Sequence, residues 1–369
     1  MRIRDLITMT TGHRREPWLF NVESDWVKTF LHSDIEFKPG THFQYNSAAT
    51  YMLSAILQSV TGERLVDYLD KRLFRPLMIQ KPDWDRSPEG INTGGWGLRI
   101  TTEDIAKLGQ LYLQKGMWQG ERILSEAWVQ EATSKQTSNG SNPDNDWDQG
   151  YGYQFWRCRN DCYRGDGAFG QFCIVIPEHD AVVAVTSGTN DMGGVMQVVW
   201  DTLLPAMASE PLEADPAATR ALALKLNALN LPLVQGKPRS LLSGKLAQRT
   251  FQFFENEAGV HSVSFDLHDD DHRITFEMDH GRETLRLGQG SHISSELNRH
   301  LPYTQQMRRS IGASGAWIKP DEYQAKIYFT QSPASIIYTF RFENNRMSWR
   351  SEVRHSLLGP KKLATLQSE

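Results

Sequence analysis

From Ala48 to Val60 the apolar residues Tyr51, Leu53, Ala55, Ile56, Leu57 and Val60 recur at helical spacing, after Pro39-Gly40 and before Thr61-Gly62. That spacing predicts an amphipathic helix with its apolar stripe turned to a core. A second helix is predicted from Thr101-Thr102-Glu103-Asp104, a cap followed by acids, through IAKLGQLYLQKG to a stop at Gly116. Ser125 caps a third over Leu124 to Thr133. Between them, Asn92 to Leu98 is a glycine-rich loop around Trp96, and Ser138 to Gly150 is a polar, exposed loop. From Tyr151 the period changes to two. Gln171 to Val185 holds two apolar runs, FCIVI and AVVAV, around the turn Pro177-Glu178-His179-Asp180, which predicts a buried hairpin.

A composition shift over Ser209 to Ser240, with a short Ala/Leu-rich helix and then a Pro/Gly stretch, marks a boundary. Beyond it VHSVSFDL, RITFEM, AKIYFT, IIYTFRF and RMSWRSEV alternate like strands of an antiparallel sheet. The expected organisation is a first domain over 1–208, a linker over 209–238 and a C-terminal β domain over 239–369.

Composition narrows the class. A chain of 369 residues, 39% hydrophobic and 23% charged, is long enough for two cores. A net charge of −4, spread over both halves, gives no footprint for nucleic acid or an anionic membrane. No apolar run approaches the roughly 18 residues of a membrane span. The N-terminus MRIRDLITMTTGHRR is charged at once, unlike a signal peptide. Compartment stays open between bacterial cytoplasm and cell envelope. Three cysteines, Cys158, Cys162 and Cys173, cannot build a disulfide framework and are expected to be free structural thiols.

Gly165-x-Gly167-x-x-Gly170 spells a dinucleotide fingerprint, but a hairpin follows where a helix is needed. His268-Asp269-Asp270-Asp271-His272 lies between two strands, where a polar turn is expected rather than a metal site. No Gly-x-Ser-x-Gly and no His-Glu-x-x-His occurs. No cofactor and no metal is expected.

Two segments carry the candidate chemistry, Phe37 to Gly62 with Tyr45-Asn46-Ser47, and Tyr163 to Gly188 with Gly167-Ala168-Phe169-Gly170-Gln171. With Arg4-Asp5-Leu6, Met9-Thr10-Thr11-Gly12, Leu73 to Leu77 and Gly94-Gly95-Trp96-Gly97-Leu98, in this order, they resemble the beta-lactamase-related serine hydrolases and penicillin-binding proteins over about Met1 to Leu204. The resemblance implies an α+β fold, an antiparallel sheet flanked by helices with its first part missing, followed by a lipocalin-like antiparallel β domain. It implies acyl transfer on an ester, amide or peptide through an acyl-enzyme. Tyr45 would be the proton shuttle, Ser47 its hydrogen-bonding partner and the Gln171 amide part of an oxyanion hole. Asn46, Trp96, Asp166, Ala168, Phe169 and Gly170 would line the substrate. Ala168 stands where penicillin-recognising members carry a cation, which leans away from anionic beta-lactams.

One part of the family pattern is absent. No Lys is preceded by Ser or Thr three places earlier, so the chain has no Ser-x-x-Lys nucleophile pair. The expectation is that Met1 is an internal start, and that the nucleophile lies upstream or comes from a partner chain. The alternative is a non-catalytic binding or regulatory relative.

Overall fold

The computed structural model describes the chain from Met1 to Glu369 except residues 20–21, 248, 268–270, 305–306, 356–360 and 364. It divides into two compact units, Met1–Ser187 with Asp191–Glu210, and Gly188–Asn190 with Pro211–Glu369.

In the first unit the helices are α1 (Ile3–Ile7), α2 (Trp26–His32), α3 (Ser47–Thr61), α4 (Leu65–Leu69), α5 (Thr102–Leu113), α6 (Glu126–Thr133) and α7 (Met192–Val198). The strands β1 (Trp156–Arg157), β2 (Tyr163–Gly167), β3 (Gln171–Ile176) and β4 (Ala181–Val185) form one antiparallel sheet in that order. Helix α3 begins where the Asn46 side chain accepts from the Ala49 N–H at 3.0 Å, and it ends at Gly62 in the left-handed region, φ 71°. Helix α5 starts in a capping box between Thr101 and Asp104. It stops at Leu113, short of Gly116, because Lys115 already turns left-handed at φ 54°.

These elements make two local cores. Leu6, Met9, Trp26, Phe30, Ala49 and Tyr51 bury α1, α2 and α3 against one another. Phe172, Ile174 and Ile176 of β3 bury one face of the sheet against Met196, Val199 and Trp200. Helix α5 lies on the sheet at Gly109, where an added Cβ would stand 2.5 Å from Val182 and 2.8 Å from Cys173 Sγ. All three cysteines are free.

The second unit opens with α8 (Pro216–Asn227), which buries no residue, and a short α9 (Ser243–Leu246). Its strands are β5 (Thr250–Gln252), β6 (Val260–Asp266), β7 (Asp271–Met278), β8 (Gly281–Gly288), β9 (Ile293–Glu296), β10 (Ser310–Lys319), β11 (Glu322–Phe329), β12 (Ser335–Glu343), β13 (Arg346–Arg354), β14 (Lys361–Lys362) and β15 (Leu366–Gln367). They form one sheet, ordered β14-β13-β12-β11-β10-β8-β7-β6-β5, with β9 on β10 and β15 on β13. The sheet curls until its C-terminal segment meets the β5 edge: Ser368 N–H donates to Met347 O at 2.8 Å and Glu369 N–H to Gln252 O at 3.0 Å. Inward residues such as Phe276, Tyr323, Tyr338, Phe340 and Trp349 fill the interior.

The five alternating runs read from sequence are strands here. Strand β10 is not anticipated from end to end, because SIGASGAWIK is buried at consecutive positions and its Gly, Ala and Ser residues hide the alternation. Of the acidic-histidine run, His268, Asp269 and Asp270 lie outside the described residues. Asp271 pairs outward with Arg273 and Arg286, while His272 is fully buried inside. Among the described residues no group of three or more His, Cys, Asp or Glu could hold a metal, and no helix is long and apolar enough to cross a membrane.

Candidate active site

The N-terminus of α3 organises the site. Asn46 is fully buried, and its side chain caps the helix while Nδ2 donates to Thr11 Oγ1 at 3.4 Å. Thr11 in turn touches His13 Nδ1 at 2.8 Å, and the His13 ring packs on Phe30 at 4.9 Å. Asn46 therefore faces the core and fixes the turn that presents its two neighbours. Ser47, first residue of the helix, donates its N–H to Glu16 Oε1 at 2.7 Å, and the Ala48 N–H reaches the same oxygen at 3.3 Å. A carboxylate is favoured there by the helix dipole and two otherwise unpaired donors.

Tyr45 precedes this turn. Its ring stacks on Trp156 of β1 at 5.4 Å and meets the edge of Tyr151 at 6.5 Å. Burial pushes the phenol up to about 12, with the negative charges of Asp166 and Glu16 adding to the effect. Tyr45 is thus a neutral phenol at ordinary pH.

Behind Trp156 lies a layer of which the sequence reading singled out only Asp166, as a substrate-lining residue. The guanidinium of Arg164, a fully buried residue of β2, sits 5.6 Å from the Trp156 ring and 4.8 Å from Trp147. Its Nε and Nη2 meet Asp166 Oδ2 at 2.9 and 2.8 Å, and Trp147 Nε1 donates to the same oxygen at 2.9 Å. Nη1 donates to Asp146 O at 3.0 Å and to Cys158 Sγ at 3.1 Å. Asp166 is therefore enclosed in an internal ion pair. Burial holds its carboxyl above the usual range in spite of Arg164. The i, i+2 spacing of Arg164 and Asp166 on one strand face was the available signal for this pair.

The turn from β2 to β3 is tightly held. Ala168 is exposed, Phe169 adopts φ 66° and Gly170 φ 83°. Gln171 Nε2 donates to Ser187 O at 2.6 Å and to the Ala168 and Phe169 carbonyls at 3.2 and 3.3 Å. Ser187 Oγ donates to Phe169 O and Gly170 O at 2.9 and 2.8 Å. The Gln171 side chain thus acts on the turn, and its main chain stands opposite Gly167 in the hairpin. The glycine loop rests on α3: a Cβ on Gly95 would lie 2.8 Å from Ser47 O, and one on Gly94 2.8 Å from Thr50 O. Trp96 is held there by its own carbonyl, which accepts from Trp84 Nε1 at 2.8 Å, and by packing on Trp26 at 5.8 Å.

The Beta-lactamase family model matches residues 1–206. The chain belongs to the beta-lactamase family. It is 29% identical over 165 residues to a 6-aminohexanoate-dimer hydrolase of Paenarthrobacter ureafaciens, the match covering 40% of each. The chain thus spans two fifths of the curated relative it matches. Similar solved structures include a beta-lactamase from Mycobacterium bovis, 19% identical, covering 56% of this chain and 74% of that one at TM-score 0.42. The octameric penicillin-binding protein homologue of Pyrococcus abyssi is 14% identical, covering 99% and 77% at TM-score 0.43.

Proposed function

We propose that this chain carries the tyrosine side of a serine acyl-transfer site that hydrolyses neutral esters or amides through an acyl-enzyme. Tyr45 is the observation behind the reading: a protonated phenol stacked on Trp156, beside the capped first turn of α3. The sequence holds no Ser-x-x-Lys pair, so the serine and its cation belong to sequence other than that shown. A cation brought beside the phenol opposes Asp166 and Glu16 and lowers its pKa toward the working range. Once that cation has let the phenol lose its own proton to solvent, the Tyr45 phenolate takes the serine proton as the serine oxygen attacks the substrate carbonyl, and returns it to the departing alcohol or amine. Water repeats the sequence, taking the acyl group and leaving the serine protonated.

In this scheme Ser47 hydrogen-bonds the shuttle, the Gln171 main-chain N–H donates to the developing oxyanion, and Trp96, Ala168, Phe169 and Gly170 border the substrate. Asn46 and Asp166 act by positioning. The uncharged Ala168 supports a neutral substrate end. The name of the curated relative, a hydrolase of a 6-aminohexanoate dimer, supports an amide among the substrates.

A fluorophosphonate probe tests the scheme. The full gene product is expected to label at one serine outside the sequence shown, and Tyr45→Phe is expected to slow ester turnover at least about a hundredfold. Stoichiometric labelling of a serine within these residues would overturn it. The missing Ser-x-x-Lys pair also favours a second reading, a non-catalytic binding or regulatory protein. Saturable ligand binding by the full gene product with no turnover would select that one.

A further inference from the structure

Beneath the first turn of α3 lies a small hydrogen-bond network of Thr11, His13 and Asn46. Thr11 and His13 flank Gly12, whose φ of 90° suits glycine and where a Cβ would stand 2.3 Å from Phe37 O. The loop is tied to the segment that leads into Tyr45. Gly40 N–H donates to Thr10 O at 2.7 Å, and Gln44 N–H donates to Met9 O at 2.9 Å. Thr11 and Asn46 are fully buried, and His13 is 1% exposed.

The contacts decide where the protons are. Asn46 Oδ1 accepts the Ala49 N–H at 3.0 Å, so Nδ2 is the atom turned to Thr11 Oγ1, at 3.4 Å, and to His13 Nδ1, at 3.5 Å. With Thr11 Oγ1 accepting from Asn46, its own proton points to His13 Nδ1, 2.8 Å away. Nδ1 is then bare, and the ring proton sits on Nε2, a buried atom with no hydrogen-bond partner among the described residues. The other tautomer leaves two groups unmatched, the Thr11 proton and Nε2, instead of one. An imidazolium is worse still. Its Nδ1–H would face the Asn46 amide N–H and strand the Thr11 proton, and its charge would have no counter-ion. The Phe30 ring of α2 packs on the imidazole at 4.9 Å. On its own segment Arg14 pairs with Glu36, Arg15 is exposed and Glu16 turns to α3. Burial is what acts on His13, and it holds the imidazole pKa below the ordinary 6.5.

We propose that neutral His13 is a positioning residue for the acyl-transfer site: through Thr11 it holds the Asn46 carboxamide, and with it the turn that presents Tyr45 and Ser47, and a proton taken up by the ring releases that turn. This role rests on the acyl-transfer reading of Tyr45. The hold is full at neutral pH and above, and it is lost as pH falls through the lowered pKa of His13.

The first test uses the whole chain labelled with 15N-histidine. Long-range 15N–1H spectra, assigned through His13→Asn, are expected to show a bare Nδ1 and a protonated Nε2, with a titration below that of the exposed histidines. A ring protonated on Nδ1, or an ordinary titration, would overturn the proposal. The second test follows ester turnover by the full gene product against pH. His13→Leu, which leaves the Thr11 hydroxyl without its acceptor, is expected to lower kcat about ten- to a hundredfold with little change in KM. His13→Asn has a carbonyl to stand in for Nδ1 and cannot titrate. It is expected to restore most of that loss and to take one proton out of the acid-side fall of kcat. His13→Leu turning over as fast as the parent, or His13→Asn keeping the parent's acid limb, would overturn the proposal and leave the acyl-transfer reading intact. No turnover by the parent would overturn both.

Discussion

Tyr45 and Arg164 show how much a residue's surroundings add to its type. A phenol with pKa about 12, against an ordinary 10.0, favours the folded state up to about pH 10 and loses that contribution as pH rises through about 12. Ultraviolet difference titration is expected to find several late-ionising tyrosines, Tyr151, Tyr163, Tyr323 and Tyr338 among them, and Tyr45→Phe is expected to remove one from the set, while Asp166→Asn is expected to lower the midpoint of that one. Arg164 has a larger structural part. Replacing it with Met leaves Asp166 buried without its cation, and urea unfolding is expected to show a loss of about 3–5 kcal/mol. The Arg164→Met, Asp166→Asn double variant is expected to recover part of that loss. Tyr45, Ser47 and the Gly167–Gln171 turn could be picked out by motif. Glu16 and Arg164 could not, because Glu16 reaches α3 from a loop 31 residues earlier and Arg164 becomes informative only when Trp147 and Trp156 close around it.

At the level of elements, the helices follow their local signals closely. Thr101 caps α5 through the Asp104 N–H at 3.2 Å, and Thr101→Ala is expected to cost about 1 kcal/mol in chemical denaturation. The packing of that helix depends on a different residue. Gly109→Ala places a methyl within 2.8 Å of both Cys173 Sγ and Val182, so α5 must lift or the sheet side chains must move. A loss of about 1–3 kcal/mol is expected, with greater access of Cys173 to a thiol reagent as the readout. The hairpin of β3 and β4 was legible because two apolar runs flank a proline turn. Strand β10 was legible only in part, since its small residues suit a crowded barrel wall and carry little alternation of their own.

Across the whole molecule, two compact units are linked by residues 208–232, every one of them exposed. Limited proteolysis is expected to cut first in this stretch, and mass spectrometry is expected to recover a C-terminal fragment containing Leu246 to Glu369. Early cleavage inside β10 to β13 would contradict the compact second unit. Periodicity, caps and turn residues, all set by neighbours along the chain, determined by themselves helices α3, α5 and α6, the central hairpin and a C-terminal sheet, and motif order pointed to the family, while α1, α2, α4 and α7 were not read from sequence. Tertiary structure alone decided that Asn46 faces inward, that Glu16 meets the first turn of α3, and that the sheet curls until Glu369 reaches Gln252. The physical reason is the range of the forces: capping and alternation act over a few residues, whereas charge pairing, desolvation and barrel closure join positions that only the fold brings together.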